Sequence, residues 1–212
     1  MNAADRQLGA GKVVNRRGRK FDQVLEGARQ VFMAEGFDGA SVDDIAKVAE
    51  VSKATLYAYF PDKKLLFLEV AKTECKRQAD ACFDMLQAGV PLRVALLGGA
   101  QQMIRFLLSD FAQGVFRICV AESERFPELG RDFYTSGPMM ARDRLVEVFR
   151  DANADGSLRI DDLELAADQF AELCKADIWP RMIFGITRDF TEAEITRVAQ
   201  GAVDMIYARY GA

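Results

Sequence analysis

Ser41 to Phe60 reads SVDDIAKVAEVSKATLYAYF, and the order of its residues predicts two short helices joined by a tight turn. Ser41 offers a side-chain acceptor just ahead of a helical pattern, and Asp44 follows three residues later in the place of a capping-box acid. Val42, Ile45, Ala46 and Ala49 then recur at the interval that lays one apolar stripe along a helix. Ala49-Glu50-Val51 interrupts the pattern. Ser52 supplies a second N-cap, and Lys53 to Tyr57 follow as a second helix whose core contact is Leu56.

The outward face of that second helix carries Lys53, Thr55 and Tyr57, a cation, a hydroxyl with a methyl, and a phenol, while Ala54 and Ala58 keep it narrow. The major groove of B-DNA is about 12 Å wide and admits one helix, and its base edges present acceptors, donors and the thymine methyl. Ser52 at the helix start leaves backbone N–H groups turned outward for phosphate. Any all-helical core contains pairs of amphipathic helices. The residue types on the outer face are what point to nucleic acid.

Residues 20–70 resemble the DNA-binding domain of the TetR family of bacterial transcriptional regulators. The resemblance is carried by Ala28 with Val31-Phe32, Gly36-Phe37, Ser41-Val42 with Asp44-Ile45-Ala46, Val51-Ser52-Lys53 with Thr55-Leu56-Tyr57, Tyr59-Phe60, Lys63 and Leu66-Phe67. Glu50 departs from it, standing where the family has glycine in the turn. The fold implied is all-α: a three-helix helix-turn-helix domain over 20–66, then a helical ligand-binding and dimerisation domain over 67–212. Residues expected at DNA are Ser41, Ser52, Lys53, Ala54, Thr55, Tyr57, Tyr59 and Lys63, joined by Arg16, Arg17 and Arg19 from the segment before the first helix.

That segment resolves an apparent conflict in the charge. The chain of 212 residues is acidic, with net charge -4 and a pI near 5.1. Through residue 20, however, Arg6, Lys12, Arg16, Arg17, Arg19 and Lys20 oppose only Asp5. Residues 1–19 therefore read as a basic, disordered arm that follows phosphates or enters a minor groove, making affinity salt-dependent. A solvated tail that aids solubility has the same composition.

The first residues lack the apolar segment of a signal peptide. Val94 to Leu108, the longest apolar stretch, is broken by Gly98-Gly99, Gln101-Gln102 and Arg105 and is shorter than the roughly 20 residues a membrane span needs. The expected location is the cytoplasm, with no membrane partner. Cys75, Cys82, Cys119 and Cys174 form no CxxC pair, so neither a metal cluster nor a disulfide framework is expected.

Helical periodicity continues along the chain. A first helix runs from about Lys20 to Glu35, with Phe21, Val24, Leu25, Ala28, Val31 and Phe32 on one face and Gly36 as its stop. After Pro61-Asp62 a long helix extends to about Gln87 and buries Leu65, Leu68, Cys75, Ala79, Cys82, Phe83 and Leu86. Gly89-Val90-Pro91 breaks it. Leu92 to Leu108 is apolar nearly all round and is expected at the middle of the second domain. Further helices are expected from Val115 to Arg125, from Phe126-Pro127 through Tyr134, from about Pro138 to Ala154, and from Asp161 to Trp179. Thr191 with Glu194 forms a capping box for the last one, striped by Ile195, Val198, Ala199, Ala202, Ile206 and Tyr210.

Ala121 to Leu129, Phe133-Tyr134, Gly137-Pro138 and Leu158 to Ala167 resemble the AefR-like C-terminal domain of one TetR branch. The resemblance implies a homodimer through the last two helices, with Ala166, Ala167, Ala199 and Ala202 allowing close approach, and a double-stranded DNA operator with mirrored halves. It also implies a cavity for a hydrophobic small-molecule inducer among Met103, Phe106, Leu107, Phe116, Cys119, Phe170, Cys174, Trp179 and Phe184. Each of these residues would equally serve to fill a core. The apolar connection Pro180 to Phe190 is expected to line either the cavity or the dimer seam.

Three other chemistries are weighed against this. Asp151, Asn153, Asp155, Gly156 and Asp162 follow part of the EF-hand loop pattern, but Arg159 occupies the ninth place and Asp replaces Glu at the twelfth. Thiol sensing lacks an obvious cation to activate a cysteine. Catalysis has no histidine to draw on and no paired carboxylate motif. The expected protein is a ligand-released repressor without enzyme activity, cofactor or metal. A TetR-shaped protein acting on the nucleoid or on division, without an inducer, is the alternative.

Overall fold

The computed structural model describes residues 18–87, 90–124 and 127–212, and of 78–87, 122 and 129 the backbone alone. Arg16 and Arg17, the break at Gly89, the residues Arg125-Phe126, and the side chains of Ala79, Cys82, Phe83 and Leu86 lie outside that description. The chain divides into two compact units, with the boundary between Val70 and Ala71.

The first unit opens with α1 (Arg19–Gly39), which begins at Arg19, a residue expected in the arm. Helical geometry is interrupted at Gly36, where φ is 70°, so the stop expected there is a bend followed by one more turn. Phe21, Val24, Ala28, Val31 and Phe32 are buried as the stripe requires, while Leu25 is half-buried and Gly27 takes its place inside. Next come α2 (Val42–Val48), α3 (Lys53–Tyr59) and α4 (Lys63–Gln87). Phe21 stacks on Phe60 with ring centres 5.4 Å apart, and Phe32 meets Phe67 edge-on at 4.8 Å. Aromatic pairs of this kind add to the burial of their area and fix the angles at which the helices meet.

The boundary between the units falls within α4. Its buried residues include Leu66, Phe67, Leu68, Val70 and Ala71, whereas Leu65, expected inside, is 47% exposed. One residue separates Leu65 from a different helical row, and the row ending in Leu66 and Phe67 faces the aromatic cluster.

In the second unit, α5 (Leu92–Leu108) turns at Ser109 directly into α6 (Asp110–Glu122). Ser109 makes this corner: its hydroxyl donates to the Phe106 carbonyl at 2.7 Å and accepts from the Ala112 N–H at 3.2 Å. The helix expected from Val115 thus starts five residues earlier. Within one chain α5 is not enclosed all round, since Val94 is 54% exposed and only Ala95, Leu96, Ala100 and Ile104 are buried. α7 (Pro127–Tyr134) runs through one π-helical turn at Thr135–Met139, with Pro138 inside it, into α8 (Met140–Ala154).

α9 (Leu163–Leu173) ends earlier than the stretch to Trp179 suggests. The chain then reverses at Asp177, with φ 64°, and makes the short α10 (Ile178–Ile183) before α11 (Glu192–Tyr210). Both halves of the capping box at Thr191 and Glu194 are formed. The core of this unit joins α5, α8, α9 and α11 around Ile104, Phe149, Phe170, Val203 and Ile206.

One expectation fails here. Ala166, Ala167, Ala199 and Ala202 are buried inside the single chain, so they close α9 onto α11 and do not form a seam between subunits. The calcium-like loop is also committed internally. Asn153 binds the backbone of Ile160 in both directions at 2.8 and 3.0 Å, Asp155 accepts from Ser157 N–H, and Asp162 caps α9. Oxygens spent on their own backbone are not free to converge on a cation. Among the described residues, no group of three or more cysteines and carboxylates could hold a metal ion. No described helix is long and apolar enough to cross a membrane.

Candidate nucleic-acid interface

The turn between α2 and α3 is a tightly specified piece of backbone. Ser41 accepts from the Asp44 N–H at 3.1 Å and donates its hydroxyl to the Asp44 carboxylate. At the other end of α2, Val51 N–H reaches the Ala46 carbonyl at 3.0 Å and Glu50 N–H reaches that of Lys47 at 3.2 Å. These are the two bonds of a Schellman closure, which places its C′ residue in the left-handed region. That residue is Glu50, with φ 53°. Ser52 then starts α3, accepting from the Thr55 N–H at 3.1 Å.

This closure aims α3. Leu56 turns inward at 1% exposure, and Lys53, Ala54, Tyr57 and Ala58 face solvent, as does Ser52. Thr55 is half-buried and shares its hydroxyl with that of Ser52 at 2.8 Å. Tyr59, at the far end, is half-buried with its ring edge-on to Phe21 at 5.7 Å. α1 supports the arrangement from behind. A methyl group added at Gly27 would lie 2.6 Å from the Ala49 Cβ and 2.7 Å from its Cα, so α1 and the end of α2 touch backbone to backbone.

The charges are mixed. Lys53 pairs with the carboxylate of Asp43, both side chains being more than half exposed, and Glu50, between them in the chain, is exposed. Such a pair is weak and screened by salt, so the ammonium can exchange it for a phosphate or a base acceptor. Lys63 stands differently. Its ammonium donates to the carbonyls of Phe37 at 2.8 Å and Ala40 at 3.0 Å and lies 4.4 Å from the Phe37 ring centre. The phosphate role expected of Lys63 thus meets an ammonium already occupied in tying down the chain after Gly36. Ser41 is likewise occupied by its cap, and Arg19 is exposed on the first turn of α1.

The residues expected around an inducer are only partly brought together. Phe116 and Trp179 meet edge-on at 5.1 Å, both half-buried, and Met103, Phe106 and Leu107 are half-buried on α5. Phe170 and Cys174 belong to the packed core, with Phe170 edge-on to Phe149 at 6.3 Å. Cys119 is buried. Phe184 is 80% exposed and Ile186 73%, because the chain turns outward after α10 at Gly185, φ 68°. Burial raises the pKa of Cys75 and of Cys119 to about 11, with Glu74 adding to the first and Cys75 to the second. Cys174 is pushed up to about 12, again by burial. These thiols are protonated at neutral pH, the opposite of an activated sensor cysteine.

Two polar side chains, Glu74 on α4 and Gln113 on α6, are buried without any mark in the sequence. Gln113 on α6 is 3% exposed, and its Nε2 donates to the Leu107 carbonyl at 2.7 Å. A lone glutamine on an amphipathic helix carries no periodic signal, so nothing in the sequence marks it.

Residues 24–70 match the family model described as bacterial regulatory proteins, tetR family, and residues 94–212, more than half of the chain, match that of the AefR-like transcriptional repressor, C-terminal domain. The biofilm operon icaADBC negative transcriptional regulator IcaR of Staphylococcus aureus (strain Newman) is 35% identical over 65 residues, which are 31% of each chain. The chain thus spans about a third of the length of the curated relatives it matches. Among solved structures, a TetR-family transcriptional regulator from Mesorhizobium loti MAFF303099 is similar with TM-score 0.74 and 28% identity, over 92% of this chain and 98% of that one. The flavonoid-responsive regulator FrrA is similar with TM-score 0.62 and 34% identity over the same shares.

Proposed function

The chain belongs to the TetR family of bacterial regulatory proteins and carries an AefR-like C-terminal domain, and from this we propose that it is a repressor released from its operator by a hydrophobic small molecule. A regulator of this family is not an enzyme. The observation that carries the reading is the bare outer face of α3, where Lys53, Ala54 and Tyr57 are exposed around an interior Leu56. A helix held so at its first turn by Ser52 presents side chains and free N–H groups to a major groove.

Two copies joined by symmetry would set two such helices about one helical turn of DNA apart, on an operator of mirrored halves. Leu165 on α9 and Met205 on α11 are 51% and 58% exposed in the single chain and supply apolar surface for that pairing. Inducer taken up by the second unit would favour a dimer with wrongly spaced recognition helices, the change passing along α4, which both units share. A coupling of about 1–3 kcal/mol lowers operator affinity roughly five- to 150-fold. The likeness to a flavonoid-responsive regulator makes aromatic polyphenols the first compounds to test.

The test is footprinting across the genome followed by titration of the bound sites. A repressor occupies one or a few promoters, and Lys53→Ala weakens that specific binding at least about ten-fold. Unchanged affinity would remove α3 as the reading helix, and even occupancy over the chromosome would favour an architectural role.

A further inference from the structure

The Gln113 carboxamide is half explained. Its Nε2 satisfies the Leu107 carbonyl near the end of α5, where helix carbonyls lack partners of their own. That bond also fixes the orientation of the amide, because a carbonyl can only accept. The other end, Oε1, is buried and has no hydrogen-bond partner. Leaving a buried acceptor unpaired forfeits its hydration with nothing in exchange, which is why such atoms are rare and call for a donor. Capping α5 accounts for the nitrogen alone.

Apolar side chains flank Gln113 along the chain. Leu107 and Phe116, before and after Gln113 in the chain, are only half-buried, and Phe116 meets Trp179 edge-on. We propose that Gln113 Oε1 is the polar anchor of the inducer site, accepting a hydrogen bond from a neutral O–H or N–H of the ligand. This rests on the reading that the second unit takes an inducer, and it narrows the ligand to an apolar, neutral molecule carrying at least one donor, such as a phenol or alcohol. An ether in the same place leaves the oxygen unpaired, and a carboxylate sets acceptor against acceptor. A site built to bond a hydroxyl rejects the analogue lacking it far more strongly than an apolar pocket rejects a size change.

The test uses the full chain and matched pairs: chrysin against its dimethyl ether, and resorcinol against its dimethyl ether, titrated into the natural protein and into Gln113→Leu. The natural protein should bind the hydroxylated member of at least one pair about ten-fold more tightly. Gln113→Leu should lose about ten-fold for that member, keep its affinity for the ether, and erase the preference. Equal binding within each pair by the natural protein, or a preference that survives Gln113→Leu, overturns the inference, and so does binding by none of the four. Should Gln113→Leu fail to fold, the ratio within each pair on the natural protein decides alone. The inducer reading is judged separately, by whether any compound releases the operator, so the two can fail independently.

Discussion

Glu50 stands in the left-handed turn between α2 and α3. It adopts φ 53° to close α2, a conformation that costs a non-glycine residue about 1 kcal/mol. Glu50→Gly should therefore raise stability by about 1 kcal/mol in a urea melt, and removing an exposed carboxylate three residues before Lys53 should tighten operator binding. A melt and a titration that both stay unchanged would refute this. Asp177 has a similar φ of 64°, yet its carboxylate pairs with Arg197 and lies 3.7 Å from Arg181. Asp177→Gly gives up those contacts, so the same substitution should not stabilise there. The thiols belong to this scale as well. Cys75, Cys119 and Cys174 have folded pKa values raised from about 9 to about 11, 11 and 12. Above pH 9 the unfolded chain gives up protons that the folded chain retains, so their contribution is intact below pH 9 and is lost as pH rises toward 11–12. Stability should fall across that window, and iodoacetamide should label the buried Cys119 and Cys174 at pH 7.5 only once the protein unfolds.

At the scale of the elements, close approach and capping decide where α3 points. Gly27→Ala gains helix propensity worth about 1 kcal/mol but drives a methyl to within 2.6 Å of Ala49, whose neighbour is the Glu50 turn. Relief requires the helices to separate, at about 1–3 kcal/mol, and the shift carries α3 with it. Gly27→Ala should lower both the melting temperature and operator affinity; an unchanged protein would mean that the contact yields freely. Lys63 offers a sharper division. If its work is to hold the Phe37 and Ala40 carbonyls, Lys63→Met destabilises the fold by about 2 kcal/mol and leaves the salt dependence of DNA binding alone. If it binds phosphate, the slope of log affinity against log salt drops by about one. The first outcome is expected.

For the whole molecule, the prediction is that DNA binding depends on pairing. Met205→Glu places a charge on a side chain already 58% exposed in the single chain, so the fold should survive it. In a two-fold interface the same charge appears twice and faces a desolvated surface. Sedimentation should show the natural chain as a dimer and Met205→Glu as a monomer, and operator affinity should fall with the pairing. A Met205→Glu dimer of full affinity would move the interface away from α11.

Much of this was legible in the chain itself, because helix caps, turn residues and apolar stripes are local. Ser41, Ser52 and Thr191 start helices as written, Gly36 interrupts α1, and Leu56 lies opposite an exposed Lys53 and Tyr57. The tertiary structure decided what periodicity leaves open. A stripe of alanines shows that something packs closely, and only the fold shows that α9 and α11 of one chain close on each other there. A lysine at a helix start suits a phosphate or a carbonyl equally, and only the path of the chain after Gly36 brings two carbonyls to Lys63. Gln113 was silent for the same reason: a side chain's hydrogen bonds depend on neighbours that the chain's order does not place beside it.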